Sequence, residues 1–373
     1  MGCGFNLIRI KIDNYQQLRN DYLTKIANTG ILKFDESDIL DFGSNTIPTK
    51  SKSQDTYRLL SEYSSSEFLS RIKDYLFNDK GMVKRTALQE LIAGPKITPR
   101  SMGGTCERSV RSNLCDIVNE LGNCNEDNDL QVLQRIFNYR LFSKKEGKDF
   151  AYWFMQSLGQ DTCPYCNTGY TAVLAGRKKI RAAFDHYFPK SKYPYLAVSL
   201  FNLIPICSTC NSLKGEKEPR IVYPYEESFD EEGRNFVFRV KPDSLNHFVD
   251  VWTGNSNRII VDVEPQEKYI IESDADTEYA NRLTEGMDYL GLKERYAICH
   301  KGEICHIIRN YYEYNEMGLE SIMREYPNFY KDTNQIRNAL YFANLGSDEW
   351  GKSPLNKLKH DLLEQLDTMA NAD

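Results

Sequence analysis

The chain has 373 residues, of which 41% are hydrophobic and 27% are charged, and its formal net charge is −6. This length is enough for two domains or for one large domain with insertions. The composition excludes a disordered chain, and the negative charge argues against a protein that coats nucleic acid through bulk charge. No apolar run approaches the roughly 18 residues that span a bilayer, and the first residues do not resemble a secretory signal. We therefore expect a cytoplasmic protein with no membrane partner.

The region 1–160 is predicted to be mostly helical. Apolar residues recur at helical spacing in three segments, 68–76, 114–121 and 130–137. Gly122 stands where the second of these helices would end. Loops are predicted at 44–54 and 94–105, where Pro, Gly and small polar residues cluster.

The region 221–373 is predicted to contain strands followed by helices. Alternating or β-branched residues predict three strands, at 236–240, 248–252 and 259–263. Gly254-Asn255 reads as the turn between the second and third of them. From about Thr277 the pattern becomes helical, and one long helix is predicted to run through Ile298, Ile304, Ile308 and Tyr311.

Four of the ten cysteines form two tight pairs, Cys163/Cys166 and Cys207/Cys210, with 40 residues between the pairs. A two-residue gap lets both sulfurs of a pair reach one ion, and two such pairs supply a tetrahedral zinc site. Four ligands close the coordination shell, so the predicted Zn²⁺ is structural rather than catalytic. The alternative is four ordinary buried thiols, which is the role expected for the other six cysteines.

The residues around and between the cysteine pairs form an ordered set of motifs. In sequence order they are C-x-x-C, then D-H-x-x-P-x-S from Asp185, then N-L-x-P-x-C-x-x-C-N-x-x-K-G from Asn202. This pattern, over residues 163–215, resembles the HNH endonuclease family in its four-cysteine, zinc-stabilised form. The resemblance implies a metal-dependent endonuclease that hydrolyses phosphodiester bonds of nucleic acid.

The resemblance also implies a fold and a set of site residues. The fold would be α+β, with a ββα-metal unit at 161–220 between the mostly helical flanks 1–160 and 221–373. His186 would be the general base, and Asp185 would bind the catalytic cation. Asn202 would hold the loop that bears the histidine, and Asn211 would be the second ligand of the cation. Some members of the family have His at this last position.

The chemistry of phosphodiester cleavage suits these residue types. The carboxylate of Asp185 and the amide oxygen of Asn211 are hard donors that suit Mg²⁺ or Mn²⁺. The ordinary pKa of histidine, about 6.5, suits His186 to proton transfer near neutrality. Successive residues of a strand point to opposite faces, so a bulge or bend is expected to bring Asp185 and His186 to the same phosphate.

The segment 161–220 is locally basic, with nine Lys and Arg residues against four Asp and Glu residues. The candidates for contact with nucleic acid are Arg177, Lys179, Arg181, Lys190, Lys192 and Lys214. Positive side chains of this kind contact phosphates without reading the bases. The alternative is a solvated basic surface.

Two stretches near the C-terminus, 272–275 and 290–295, are similar to the helical tail of HNH proteins from bacterial antiphage systems. In the Septu type, and in some retrons, such a nuclease is paired with an ABC-type ATPase. This resemblance implies an ATPase partner that restrains or triggers cleavage. The region 1–160 would dock a partner or regulate the nuclease. Two alternatives stay open: a stand-alone restriction or nicking endonuclease, and a non-catalytic, zinc-stabilised module that binds nucleic acid.

Overall fold

The structure is a computed structural model of the chain. It describes residues 10, 12, 14–40, 51–63, 65–96, 109–144, 149–174, 179–216, 221–227, 230–231, 234–265, 274–341 and 347–371. The architecture is α+β, with many helices and two small antiparallel sheets. None of the helices in these ranges is long and apolar enough to cross a membrane.

The first part of the chain is helical, as predicted. Its helices are α1 (Tyr15–Ala27), α2 (Glu36–Leu40), α3 (Lys52–Glu62), α4 (Glu67–Leu76), α5 (Arg85–Ala93), α6 (Val110–Leu121), α7 (Asp127–Ile136), α8 (Tyr139–Ser143) and α9 (Phe150–Ser157). The predicted apolar faces lie on α4, α6 and α7, and their residues enter the core. Helix α6 ends at Gly122 as predicted, because Gly122 adopts a φ of +77° that side-chain-bearing residues avoid.

The central part contains a hairpin followed by a helix. Strand β1 (Ala183–His186) pairs antiparallel with β2 (Leu203–Ile206), and α10 (Ser208–Lys214) follows β2 directly. The connection between the two strands contains short 3₁₀ turns at Pro194–Leu196 and Leu200–Asn202. Every residue of β2 is buried, and β1 is buried from Phe184 to His186, whereas Ala183 is exposed.

The last part contains a three-stranded antiparallel sheet and a group of helices. The sheet has the order β3 (Asp230–Glu231), β4 (Arg234–Pro242) and β5 (Ile259–Pro265). The helices are α11 (Phe248–Trp252), α12 (Asp274–Tyr289), α13 (Leu292–Cys299), α14 (Lys301–Glu313), α15 (Glu316–Glu325), α16 (Thr333–Leu340) and α17 (Asn356–Ala370). The predicted strands at 236–240 and 259–263 are confirmed as β4 and β5.

The prediction of a strand at 248–252 was wrong, because this segment forms helix α11. Strand β4 pairs with β5 along its length, from Phe236 opposite Pro265 to Pro242 opposite Ile259. The segment 248–252 therefore lies in the connection between β4 and β5, and these two strands pair with each other rather than with it. Gly254 ends α11 at a φ of +70°, so it terminates a helix rather than forming a turn between strands.

The prediction of one long helix through Ile298 and Ile308 was also wrong. The helix is interrupted at His300, whose φ of −118° and ψ of 13° are not helical, so α13 and α14 are separate. The two helices have different neighbours: α13 packs on β5 and α14 packs on α17. Periodicity along the sequence does not reveal this change of direction, because both helices keep an apolar face.

The central hairpin is packed between the two flanking regions. On one side the hydroxyl of Tyr22, in α1, donates to the carbonyl of Val198 at 2.8 Å. On the other side the side chain of Asn167 donates to the carbonyls of Trp350 and Ser353. Buried apolar residues from all three regions form one continuous core. The flanks therefore hold the central segment from both sides.

Candidate metal centre and active site

The four paired cysteines come together in the structure. The sulfurs of Cys163, Cys166, Cys207 and Cys210 all lie within 4.8 Å of one another, and all four residues are buried. The sulfurs of Cys166 and Cys207 are 3.8 Å apart. A tetrahedral zinc site with bonds of about 2.3 Å places its sulfurs about 3.8 Å apart. The cluster can therefore hold a metal ion such as zinc.

The first pair lies in a tight turn that the backbone defines. The amide of Asn167 donates to the carbonyl of Cys163, and the amide of Cys163 donates to the carbonyl of Gly169, both at 2.8 Å. Gly169 lies directly against Cys207: a Cβ on residue 169 would be 2.6 Å from the Cβ of Cys207. The absence of a side chain at Gly169 therefore allows the two halves of the cluster to approach each other.

The second pair lies at the start of α10. Cys207 is the N-cap of this helix, and the amide of Cys210 donates to the sulfur of Cys207 at 3.5 Å. Hydrogen bonds from the thiols of Cys163, Cys207 and Cys210 lower the pKa of Cys166, whereas burial raises the pKa of Cys163. The cluster therefore favours a thiolate on Cys166, and the thiolate is the form that binds metal.

Helix α13 covers the cluster from the C-terminal side. The guanidinium of Arg295 donates to the sulfur of Cys210 at 3.4 Å, and the hydroxyl of Tyr296 donates to the carbonyl of Cys166 at 2.6 Å. A positive charge beside the cysteines offsets the negative charge of thiolates in this buried place. Neither residue was predicted, because no local motif in the sequence connects 295–296 with the cysteine pairs.

Asp185 lies on β1, where its carboxylate is buried with two polar partners. Its side chain is 5% exposed. The hydroxyl of Tyr165 donates to Oδ2 at 2.6 Å, and Nζ of Lys214 lies 2.9 Å from Oδ1. Lys214 is only 2% exposed, and its ammonium also donates to the carbonyl of His186. The carboxylate is thus held between the first cysteine turn and the end of α10.

His186 follows on the same strand, and its ring is held at one nitrogen. Nε2 lies 2.9 Å from the carbonyl oxygen of Ala197, which can only accept, so Nε2 carries the proton. Nδ1 is then the nitrogen that can accept a proton. Burial, followed by the charge of Lys190, lowers the pKa of His186 to about 3, which keeps the ring neutral near pH 7. The ring of Tyr139, from α8, packs edge-on against it at 4.4 Å between centroids.

Asn202 is fully buried and ties the segment after His186 to the rest of the site. Its Oδ1 accepts from the amide of Phe188 at 2.7 Å. Its Nδ2 donates to the carbonyls of Phe188 and Leu196, both at 3.0 Å. Through these contacts Asn202 would hold the histidine-bearing loop in position.

The expected bulge between Asp185 and His186 is not present. The ladder of β1 and β2 is continuous, with Asp185 opposite Ile204 and His186 opposite Leu203. The two side chains accordingly have different partners, Tyr165 and Lys214 for the aspartate, and Ala197 and Tyr139 for the histidine. Each residue of β1 pairs with one residue of β2, so no residue is left to form a bulge, and Asp185 and His186 point to opposite faces.

Asn211 lies in α10 with its side chain exposed. It is one helical turn before Lys214, so the two residues lie on neighbouring positions of the same helix face. Lys214 is buried against Asp185, whereas the side chain of Asn211 is exposed. Carboxylate and amide oxygens fit a hard divalent cation, although in this structure the cationic partner of Asp185 is the ammonium of Lys214.

The predicted basic residues occupy different environments. Lys190 and Lys192 are exposed, and Nζ of Lys190 lies over the ring of Tyr139. Lys179 pairs with Asp149, and Arg181 is partly buried against the rings of Tyr152 and Phe184.

Lys214 differs from the expectation of a surface contact, because its ammonium is buried against Asp185. Arg177 lies outside the described residues.

The buried pair of Lys214 and Asp185 gives a testable expectation about stability. Replacing Lys214 by Met leaves the buried carboxylate with Tyr165 as its remaining partner. Removing one member of a buried ion pair costs about 3–5 kcal/mol, so Lys214→Met is expected to lower the free energy of unfolding by about that much. Urea unfolding measures it.

The double variant Lys214→Met/Asp185→Asn removes both charges and is expected to recover most of this loss. The control is Arg58→Met, which removes one member of the exposed pair Arg58–Asp55, whose side chains are 72% and 78% exposed. Its expected cost is at most about 1 kcal/mol. A Lys214→Met variant as stable as the Arg58→Met variant would contradict the buried pair.

Comparison with known proteins gave no match to this chain, either among protein-family models, among curated proteins or among solved structures. The site's own residues and geometry therefore carry the functional interpretation.

Proposed function

We propose that this chain is a metal-dependent endonuclease of the HNH type, which hydrolyses phosphodiester bonds of nucleic acid. The observation that carries the proposal is the environment of His186. One ring nitrogen is fixed on the carbonyl of Ala197, and the other can accept a proton. The buried Asp185 next to it on β1 points to the opposite face of the hairpin, where it contacts Tyr165 and Lys214. The helix after the hairpin carries the second cysteine pair, and the first pair lies in a turn before β1.

His186 would act as the general base. Its Nδ1 would take a proton from the water that attacks phosphorus, while the hydrogen bond from Nε2 to Ala197 holds the ring in place. Asn202 supports this orientation, because it ties Phe188 to Leu196 across the same loop. A fixed base gains rate because its geometry is established before the reaction begins.

Asp185 and Asn211 would hold the catalytic divalent cation, which is Mg²⁺ or Mn²⁺. When bound, such an ion supplies positive charge that stabilises the negative charge developing on the phosphate oxygens. Asp185 contributes a carboxylate whose Oδ2 is already held by Tyr165. The ammonium of Lys214, which now pairs with Oδ1, would share this oxygen with the cation or give it up.

Zn²⁺ would bind to Cys163, Cys166, Cys207 and Cys210 as a structural ion. All four sulfurs would be ligands, so no position would be open to a substrate. The cluster holds the turn before β1 to the start of α10. Zinc would therefore keep together the two elements that flank the proposed active site, and it would take no part in the chemistry.

Nucleic acid would approach from the side of Lys190 and Lys192, which are exposed. Lys190 and His186 both contact the ring of Tyr139, so a phosphate held by Lys190 would lie near the base. Contacts of this kind read the backbone and not the bases, so they apply to DNA and RNA alike.

The wider role proposed is that of effector in a bacterial antiphage complex with an ABC-type ATPase. It is supported by the similarity of 272–275 and 290–295 to the helical tails of such proteins. A stand-alone restriction or nicking endonuclease is the other enzymatic candidate. Cleavage by the isolated chain, as fast as with an ATPase present, would favour the stand-alone enzyme.

The test of the proposed activity uses the purified chain with supercoiled plasmid and with single-stranded RNA. Cleavage of either substrate is expected with Mg²⁺ or Mn²⁺, and none is expected after chelation with EDTA. A folded, zinc-loaded chain that cuts neither substrate with either ion, alone or with its ATPase partner, would contradict the proposal and favour a non-catalytic binding module.

The pH dependence of cleavage follows from the lowered pKa of His186. With a pKa of about 3, the ring stays neutral and able to accept a proton as the pH falls from 7 to 5. A histidine with the ordinary pKa of about 6.5 would be mostly protonated at pH 5 and would lose its function as a base. The kcat/KM of the wild type is therefore expected to show no titration near pH 6.5, and a loss of rate with that midpoint would contradict the buried environment.

A further inference from the structure

Tyr165 connects the cysteine cluster to the proposed active site. It is one of the two residues between Cys163 and Cys166, so it lies in the metal-binding turn without being a ligand. Its hydroxyl donates to Oδ2 of Asp185 at 2.6 Å, and both side chains are 5% exposed. This buried hydrogen bond is made by side chains alone, and it joins two sites that the sequence presents as separate.

The position of the Tyr165 hydroxyl is set by the turn that carries it. Backbone hydrogen bonds close this turn from Asn167 to Cys163 and from Cys163 to Gly169. Tyr165 is thus presented to Asp185 from a rigid support.

The two oxygens of Asp185 are divided between two elements. Oδ2 faces Tyr165 and the cysteine turn, while Oδ1 faces Lys214 on α10. A carboxylate bound at one oxygen by a fixed donor cannot rotate freely about its last bond. Tyr165 therefore determines which oxygen is turned towards α10, the helix that also carries Asn211.

We infer that Tyr165 is a positioning residue for the proposed nuclease: its hydroxyl holds the Asp185 carboxylate with Oδ1 towards α10, where the cation would bind. This inference rests on the proposed function. Residues that orient a metal ligand typically contribute about 10- to 100-fold to metal affinity or activity.

The test compares Tyr165→Phe with a matched control, Tyr296→Phe. Each variant removes one buried phenol hydroxyl that makes a 2.6 Å hydrogen bond at the same turn, but only Tyr165 touches Asp185. The zinc-loaded variants are assayed on plasmid over a series of Mn²⁺ concentrations. Thermal unfolding and zinc content are measured on the same samples.

Tyr165→Phe is expected to lower kcat, or to raise the Mn²⁺ concentration for half-maximal rate, by about 10- to 100-fold, with the KM for plasmid unchanged. Tyr296→Phe is expected to keep both values, and the two variants are expected to share the same small loss of thermal stability and the same zinc content. A difference in cleavage kinetics between the two variants separates positioning of Asp185 from a general weakening of the turn, because a structural role alone would affect both variants equally.

Two other results would overturn the inference in different ways. If Tyr165→Phe cuts as fast as Tyr296→Phe at every Mn²⁺ concentration, Tyr165 does not position the carboxylate, and the proposed function stands. If the wild type itself does not cut under any of these conditions, the proposed function fails and the positioning role falls with it.

Discussion

Replacing Cys166 by Ser is expected to release the metal and to destabilise the whole chain. Cys166 is fully buried among the other three sulfurs, and a serine oxygen is a poor substitute for a thiolate towards zinc. Structural zinc in small peptides binds with about 10–16 kcal/mol, and that free energy becomes folding free energy. We therefore expect the free energy of unfolding to fall by at least about 5 kcal/mol, measured by denaturant unfolding alongside zinc content.

Cys124→Ser is the matched control for this prediction. Cys124 is buried like the paired cysteines, but its sulfur contacts the carbonyl of Glu126 and not the cluster. Its replacement is expected to leave the zinc content unchanged and to cost no more than an ordinary buried substitution, about 0.5–3 kcal/mol. Equal losses in the two variants, or a pure folded wild type without zinc, would contradict a structural zinc site.

Replacing His186 by Gln is expected to remove nearly all cleavage while leaving the fold intact. The amide nitrogen of Gln can still donate to the carbonyl of Ala197, whereas no atom of Gln can act as a base in place of Nδ1. General bases of this kind contribute about 10²- to 10⁴-fold, and the rate should fall by that factor. Cleavage of plasmid at saturating Mn²⁺ measures it, with circular dichroism as the check on folding.

His360→Gln controls for the general effect of losing a histidine. His360 lies in α17, where its ring contacts Asp361, Glu364 and Trp350 rather than residues of the proposed active site. Its replacement is expected to leave the rate of cleavage unchanged. A His186→Gln variant that cuts as fast as His360→Gln would exclude His186 as the base.

Local sequence was sufficient to predict the regular elements with clear periodicity. Helices α4 and α6 and strands β4 and β5 have patterns that match their burial, and Gly122 ends α6 as predicted. The segment 248–252 misled the prediction, because Phe248, Val251 and Trp252 favour a strand by composition. Its conformation is decided by the pairing of β4 with β5, which leaves this segment as a connection.

The cysteine cluster was predictable because a metal site constrains spacing along the chain. Two pairs with a two-residue gap indicated that four sulfurs would meet, and they do meet in the structure. In the same segment Asp185 and His186 lie on β1 of a hairpin that α10 follows. The ββα-metal unit that the resemblance implies stays a prediction.

The surroundings of the site were not predictable from these motifs. Tyr139 reaches His186 from the N-terminal region, and Arg295 and Tyr296 reach the cluster from α13. These contacts depend on how distant segments pack, and no spacing rule connects them. Tyr165 is an exception, because it lies between two cysteines of the cluster, and the turn that holds them also fixes its contact with Asp185.

The most direct test of the central claim is single-turnover cleavage of supercoiled plasmid by the wild type and by Asp185→Asn/His186→Gln. Both proteins are loaded with zinc, checked for folding, and supplied with Mn²⁺. The wild type is expected to cut the plasmid, and the double variant is expected to leave it intact while keeping its zinc and its helical signal. Cleavage by the double variant at the wild-type rate would show that another site performs the reaction and would contradict an active centre at Asp185 and His186.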